Sequence, residues 1–311
     1  MIGQPWRQSL RAWTRGLAVI ACGWVTAYAA AQTLGEHAVA ALVAQFDAEV
    51  DRRLAVPVDA RQRYAEGLDA ELHHAQITLR GRQHLVLVDR NPNVQAVAVL
   101  LFDPPARWIW IGASAVSTGR PGEFDHFITP TGVFAHSLDN PDFRAEGTFN
   151  ENHIRGYGLR GTRVFDFGWV QAERGWGSGG LGTMRLQMHA TDSVLELRLG
   201  TAQSKGCIRI TAALNRYLDR HGIIDADYEE ALARGKPLWV LATERTPTRW
   251  PGRYLAVIDS HHERRPVWSP IPMKSVRRKP REAVQGRQDG VPSGVASAAA
   301  TARAAAGCAP S

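Results

Sequence analysis

Between His84 and His189 the chain cannot run far in one direction. Asn91-Pro92-Asn93, Asp103-Pro104-Pro105 and Gly119-Arg120-Pro121-Gly122 interrupt it, and each cluster supplies the fixed or positive backbone angles that chain reversal needs. The intervening and following runs are short, rich in β-branched and aromatic residues, and read as strands: His84 to Asp89, Val94 to Phe102, Arg107 to Ser117, Gly132 to His136, Arg163 to Val170 and Met184 to His189. Helical periodicity is confined to the flanks. Val39, Leu42, Phe46, Val50 and Leu54 form one apolar face closed by Pro57, and Tyr64, Leu68 and Leu72 form a second behind Asp59 as N-cap. Leu214 to His221 and Asp227 to Arg234 read as later helices, and Pro237 to Thr243 as a closing strand. The expected fold is mainly β, a β-sandwich-like domain with a few helices, preceded by a short helical segment.

The two ends differ from this middle. Residues 1–31 carry Arg7, Arg11 and Arg15, no acid, an apolar run from Gly16 to Val25, and then Ala27-Tyr28-Ala29-Ala30-Ala31. That is the order of a secretory signal peptide, and the apolar stretch is short against the roughly 20 residues a membrane-spanning helix needs. From Arg264 onward, Pro, Arg, Gly, Ser and Ala dominate, large apolar residues are scarce, and the composition predicts disorder. The chain's net charge of +7 resides in these ends: residues 1–31 carry +3 and residues 264–311 carry +7, which leaves −3 for residues 32–263. A mildly acidic middle argues against nucleic acid as a partner. The basic tail either touches anionic envelope polymers and lipid head groups or stays solvated with no specific partner.

Export gives the cysteines meaning. The chain has three, Cys22 in the signal, Cys207 in the predicted domain and Cys308 in the tail. Oxidising compartments pair their cysteines, so a lone thiol there is either buried and inert or kept for reactivity. Sequence context favours reactivity. Met188-His189-Ala190-Thr191 ends an apolar strand, and the segment Ser204-Lys205-Gly206-Cys207-Ile208-Arg209 follows after the fourteen residues Ala190 to Gln203. An attacking thiolate needs a base or a positive neighbour, which His189 can supply, and a glycine before the cysteine allows close backbone approach to a substrate.

These residues resemble the L,D-transpeptidase (YkuD-type) catalytic domain, whose signature is a histidine, a variable stretch, and Ser/Thr-His-Gly-Cys followed by an aliphatic residue and Arg or Asn. A second block, Val116 to Gly122 with Thr129 to Phe134, is similar to the family's strand and loop before the active site. The chain departs from the pattern at Ala190, where the family has Gly, and at Lys205, where it has His. The resemblance spans roughly 84–241 and implies this organisation: signal peptide 1–31, helical region 32–82, catalytic domain 83–243, linker and basic tail 244–311.

It further implies a cysteine-dependent acyltransferase of the periplasm or cell envelope. Cys207 would be the nucleophile and His189 the base. Gly206, Lys205, Ser204 and Arg209 would supply the oxyanion or substrate contacts, and no cofactor or metal would be needed. The donor would be a peptidoglycan stem tetrapeptide, and the acceptor an amine, or water in an L,D-carboxypeptidase. The alternative is a catalytically degenerate domain that still binds stem peptides. Other chemistries lack their motifs. Ser178 and Ser204 have no Gly-x-Ser-x-Gly context, the pairs His73-His74 and His261-His262 have no metal-ligand spacing, and the glycine run Gly175 to Gly182 has no following Lys-Ser/Thr. That run reads equally as a substrate lid or as a hairpin loop.

Overall fold

The computed structural model describes residues 35–104 and 107–271. The signal-like segment, Cys22, Cys308 and the tail beyond 271 lie outside the described residues. Two open sheets carry the fold. Strands β1 (Gln83–Asp89), β2 (Ala96–Asp103), β3 (Arg107–Ala115), β4 (Gly132–Ala135) and β9 (Tyr254–Ile258) form the first, in the order β3-β2-β1-β9-β4. Strands β5 (Phe143–Arg144), β6 (Arg163–Glu173), β7 (Leu181–Ala190) and β8 (Ile208–Ile210) form the second, in the order β5-β6-β7-β8. With helices α1 (35–49), α2 (Val58–His74), α3 (Ala212–His221) and α4 (Ala226–Ala233), the architecture is mixed α/β rather than mainly β.

The six strands read from the sequence are all present, displaced by a few residues at their ends. The apolar runs of β1 and β2 are continuous because the centre of the first sheet is covered on both faces: every residue of β2 is buried, odd and even alike. On one face α2 lays down Tyr64, Leu68 and Leu72 against Leu85, Leu87, Leu100, Ala256 and Ile258. Asp59 does not cap this helix. Pro57, extended at φ −64° and ψ 155°, is the N-cap, and the Asp59 carboxylate instead pairs with Arg63 one turn on, at 3.0 Å. The α1 helix ends at 49, short of Val50 and Leu54. Beyond it Leu54 donates its N–H to Ala113 O at 2.9 Å and Arg53 bridges to Ser114, so the chain is drawn into pairing with β3.

The closing strand is not Pro237–Thr243. That segment turns on itself, with Leu241 N–H donating to Leu238 O and the Val240 carbonyl taken by the Arg144 guanidinium. The closing strand is β9, parallel to β1 and antiparallel to β4. The body therefore extends past 243, and it also extends past Arg264. Arg265 donates to Ser269 Oγ at 3.0 Å and to Pro270 O at 2.7 Å, Ser269 is buried, and Trp268 packs on the α2 core. Residues 49 to the end of the described chain form one unit, so α2 belongs to the same body as the strands.

In the second sheet α3 is capped at both ends, by Thr211 Oγ1 accepting from Leu214 N–H and by Gly222 in the left-handed conformation. A buried charge network sits beside β6. Arg163, with no exposure, donates to Asp142 at 2.6 Å and Asp225 at 2.7 Å. His136 faces Asp142 with Nε2 and Ile224 O with Nδ1. Both nitrogens meet acceptors, so the ring is an imidazolium. Burial opposes that charge, and the Asp142 and Asp225 carboxylates outweigh it, raising the His136 pKa.

Candidate active site

Parallel strand pairing sets the candidate base opposite a residue two positions past the candidate nucleophile. Strand β8 pairs with β7 in a register that sets Arg209 opposite His189. Cys207 precedes Arg209 by two residues, so strand alternation places Cys207, Arg209 and His189 on one face of the sheet. An antiparallel bridge sets Ser117 against Arg209, which adds the second motif block to that face.

His189 is buried and its protonation state is legible from its contacts. Nδ1 lies 2.7 Å from the Ala190 carbonyl oxygen. A carbonyl only accepts, so Nδ1 carries the proton and Nε2 keeps the lone pair. Burial, with a smaller push from the Arg209 charge, takes the His189 pKa down to about 3, so the imidazole is neutral near pH 7. Tyr157 packs edge-on against the ring, 4.8 Å between centroids, and its hydroxyl donates to Gln187 Oε1 at 3.1 Å. No sequence signal pointed to Tyr157, because it sits in a loop with no periodicity.

Cys207 is buried and disulfide-bonded in this structure, so the expectation of a lone thiol does not hold for this form. The chain's other cysteines both lie outside the described residues. Nucleophilic chemistry at Cys207 therefore belongs to the reduced protein.

The loop before Cys207 is pinned from several sides. Ser204 Oγ donates to Cys207 O at 2.5 Å and accepts from Gly206 N–H at 3.1 Å, which closes the turn. Thr129 Oγ1 donates to Gly206 O at 2.7 Å and accepts from Gly119 N–H at 2.8 Å. Thr118 O receives the N–H groups of Gln203 and Ser204, and Lys205 O receives that of Phe127. Gln95, at the β1–β2 connection, holds Thr118 in turn by a 2.8 Å bond to its N–H. The two motif blocks, far apart in sequence, are thus one hydrogen-bonded unit.

Two glycines are required by this packing. Gly206 has φ +128°, and a Cβ there would sit 2.7 Å from Met184 Sδ; at Gly119 a Cβ would sit 2.0 Å from the Phe127 carbonyl oxygen. The Gly206 N–H is engaged by Ser204, so Gly206 contributes loop geometry here rather than an oxyanion donor. Lys205 Nζ lies 3.4 Å from Asp125 Oδ2 on the rim. Arg209 donates from Nη1 to Gln203 O at 3.3 Å, while its buried Nε has no hydrogen-bond partner. The glycine run Gly175 to Gly182 connects β6 and β7 as a hairpin loop, with Arg174 N–H donating to Gly180 O, and Trp176 packs edge-on against Phe127 at 4.8 Å.

Two cavities adjoin this unit. One, of about 140 Å³, is lined by Ser117, Arg120, His126, Thr191, Arg198 and Arg209 among others. A wider cleft of about 540 Å³ is lined by Tyr157, which packs on His189, with Phe143, Phe149 and Trp239. Compared with known proteins, the chain matches no family model and no curated sequence.

Proposed function

We propose that the reduced protein is a cysteine acyltransferase of the L,D-transpeptidase type, acting on peptidoglycan stem peptides in the cell envelope. The observation that carries this reading is the register that sets His189 opposite Arg209, two residues past Cys207, with the imidazole proton fixed on Nδ1 and Nε2 left basic. The resemblance in both motif blocks supports it, as does the bonding of those blocks to each other. Ser204 and Gly206 hold the turn that presents Cys207, and the 540 Å³ cleft beside Tyr157 offers room for the body of a peptide.

The chemistry begins with reduction of the Cys207 disulfide by a dithiol, which gives up two electrons and becomes a disulfide itself. Cys207 Sγ then attacks the carbonyl carbon of the third stem residue. A C–S bond forms, and His189 Nε2 takes the thiol proton and passes it to the departing D-Ala nitrogen as the C–N bond breaks. An acceptor amine attacks the thioester, a new amide forms, the C–S bond breaks, and the amine's proton returns through His189 to sulfur. With the imidazole neutral and both it and the thiol buried, a standing ion pair is disfavoured, so proton transfer accompanies attack instead of preceding it.

The products identify the acceptor. Reduced protein incubated with a disaccharide tetrapeptide yields cross-linked dimers if a second stem is the acceptor and disaccharide tripeptide if water is. Binding of the tetrapeptide with neither product and no D-Ala release overturns the catalytic reading in favour of a degenerate binding domain. Chromatography with mass detection makes the distinction.

A further inference from the structure

The connector from Ala190 to Cys207 is held at its middle by a segment that follows the last strand. The first half of the connector coils on itself, with Leu195 and Glu196 N–H donating to Asp192 O and Leu199 N–H to Glu196 O. Gly200 then leaves the coil, and both its backbone polar groups are taken. Its N–H donates to Val116 O at 2.8 Å, and its carbonyl accepts from Arg265 Nη2 at 3.1 Å. From there to Cys207 the connector is tied to the first motif block. Thr201 O accepts from Ser117 Oγ at 2.6 Å, and the Gln203 and Ser204 N–H groups meet Thr118 O.

Arg265 is the clasp. Its Nη1 donates to Ser269 Oγ and Pro270 O, which folds 265–270 back on itself, while Nη2 reaches out to Pro92 O at 3.2 Å as well as to Gly200 O. Ser269 Oγ passes a bond of its own to Asn93 O at 3.0 Å. The Asn91–Asn93 turn also receives the N–H of Gln95, the residue that holds Thr118. One guanidinium thus joins the β1–β2 turn, the connector and the C-terminal strap. The contact is close: Gly200 has φ +102°, a Cβ there would sit 2.9 Å from Pro270 O, and Ser269 and Pro270 are both buried. Trp268 packs edge-on against Tyr64 at 6.1 Å and anchors the strap to α2. Arg265 lines neither of the cavities beside the Cys207 loop, so its donors serve the chain itself.

We infer that Arg265 is a positioning residue for the Cys207 loop. By holding the Gly200 carbonyl it fixes the middle of the connector and, through Thr201 and Ser204, the turn that presents Cys207. A planar fork of donors spans carbonyls of two segments at once, which the single ammonium of a lysine does not. That the thiol so placed becomes acylated rests on the acyl-transfer reading, whereas the placement does not.

Amide hydrogen exchange and carboxamidomethylation of the reduced full chain test this without an acyl donor, the alkylation being followed at Cys207 by peptide mass mapping. Arg265→Met keeps an unbranched apolar stem and removes every donor. It is expected to speed exchange at the Gly200, Gln203 and Ser204 amides about tenfold, to leave the amides of β1 and β2 unchanged, and to slow Cys207 alkylation several-fold. Arg265→Lys is expected to fall between the two proteins in both readouts, and it carries the same test if Arg265→Met does not fold. Exchange that rises equally throughout the chain would show that Arg265 contributes only global stability, and faster alkylation would show that the strap merely shields the thiol. Either result, or no change at the three amides or in alkylation, would overturn the assignment. If wild-type Cys207 takes no acyl group while exchange and alkylation respond as expected, the acyl-transfer reading fails and the positioning role stands.

Discussion

At the scale of single residues, His189 shows how burial can make a histidine useful. An exposed imidazole is half protonated near pH 6.5 and useless as a base below it. His189 is held neutral by burial down to about pH 3, and the Ala190 carbonyl fixes which nitrogen carries the proton. The acylation rate of the reduced protein is therefore expected to stay level from pH 7 to about pH 4, and a pH–rate profile falling with a midpoint near 6.5 would show a solvated imidazole instead. The same shift costs stability in acid. The unfolded chain takes up a proton below pH 6.5 that the folded His189 refuses, so its contribution is complete above pH 6.5 and lost as pH falls toward 3. The slope is about 1.4 kcal/mol per pH unit. The sequence named His189 and Cys207 because a motif carries them. It was silent on Tyr157, which only the fold brings against the His189 ring.

At the scale of elements, the loop before Cys207 is a product of nonlocal hydrogen bonds. Thr129 is the pivot, joining Gly119 N–H to Gly206 O through one buried hydroxyl. Thr129→Val keeps the shape and strands both partners, so it is expected to lower stability by about 2 kcal/mol and to slow carboxamidomethylation of reduced Cys207 several-fold. Thr129→Ser should keep both near the wild-type values. Chemical denaturation and alkylation kinetics measure the two effects, and a Thr129→Val protein as stable and as reactive as the wild type would show that the hydroxyl positions nothing. Strands were legible wherever a β-branched run lay between turn clusters. The closing strand was not, because Pro237–Thr243 and Tyr254–Ile258 are both short apolar runs, and only pairing with the distant β1 and β4 selects the second. The Asp59 cap failed because the helix starts a residue earlier, at Val58, which puts Asp59 inside the first turn, where its carboxylate pairs with Arg63.

At the scale of the molecule, two sheets serve different ends. The first, whose strand β2 is buried throughout, anchors the Thr118 segment through Gln95, and the second carries His189 on β7, beside the strand β8 that begins just after Cys207. Composition and turn spacing pointed to the strands, yet they could not reveal the buried Arg163–Asp142–His136–Asp225 network, whose members are scattered along the chain and share no motif. The domain limits read from the sequence were short at the C-terminal side because Arg265, Trp268 and Ser269, in a composition typical of tails, are tied back to the body. The central claim is that Cys207, once reduced, becomes acylated by a stem peptide. Intact-mass measurement of reduced protein mixed with a disaccharide tetrapeptide tests it directly. The expected result is a single adduct of the disaccharide tripeptide acyl group, mapped to Cys207 and absent from Cys207→Ala, with one D-Ala released per adduct. An adduct that persists in Cys207→Ala, or wild-type protein that releases no D-Ala and gains no mass, would contradict it.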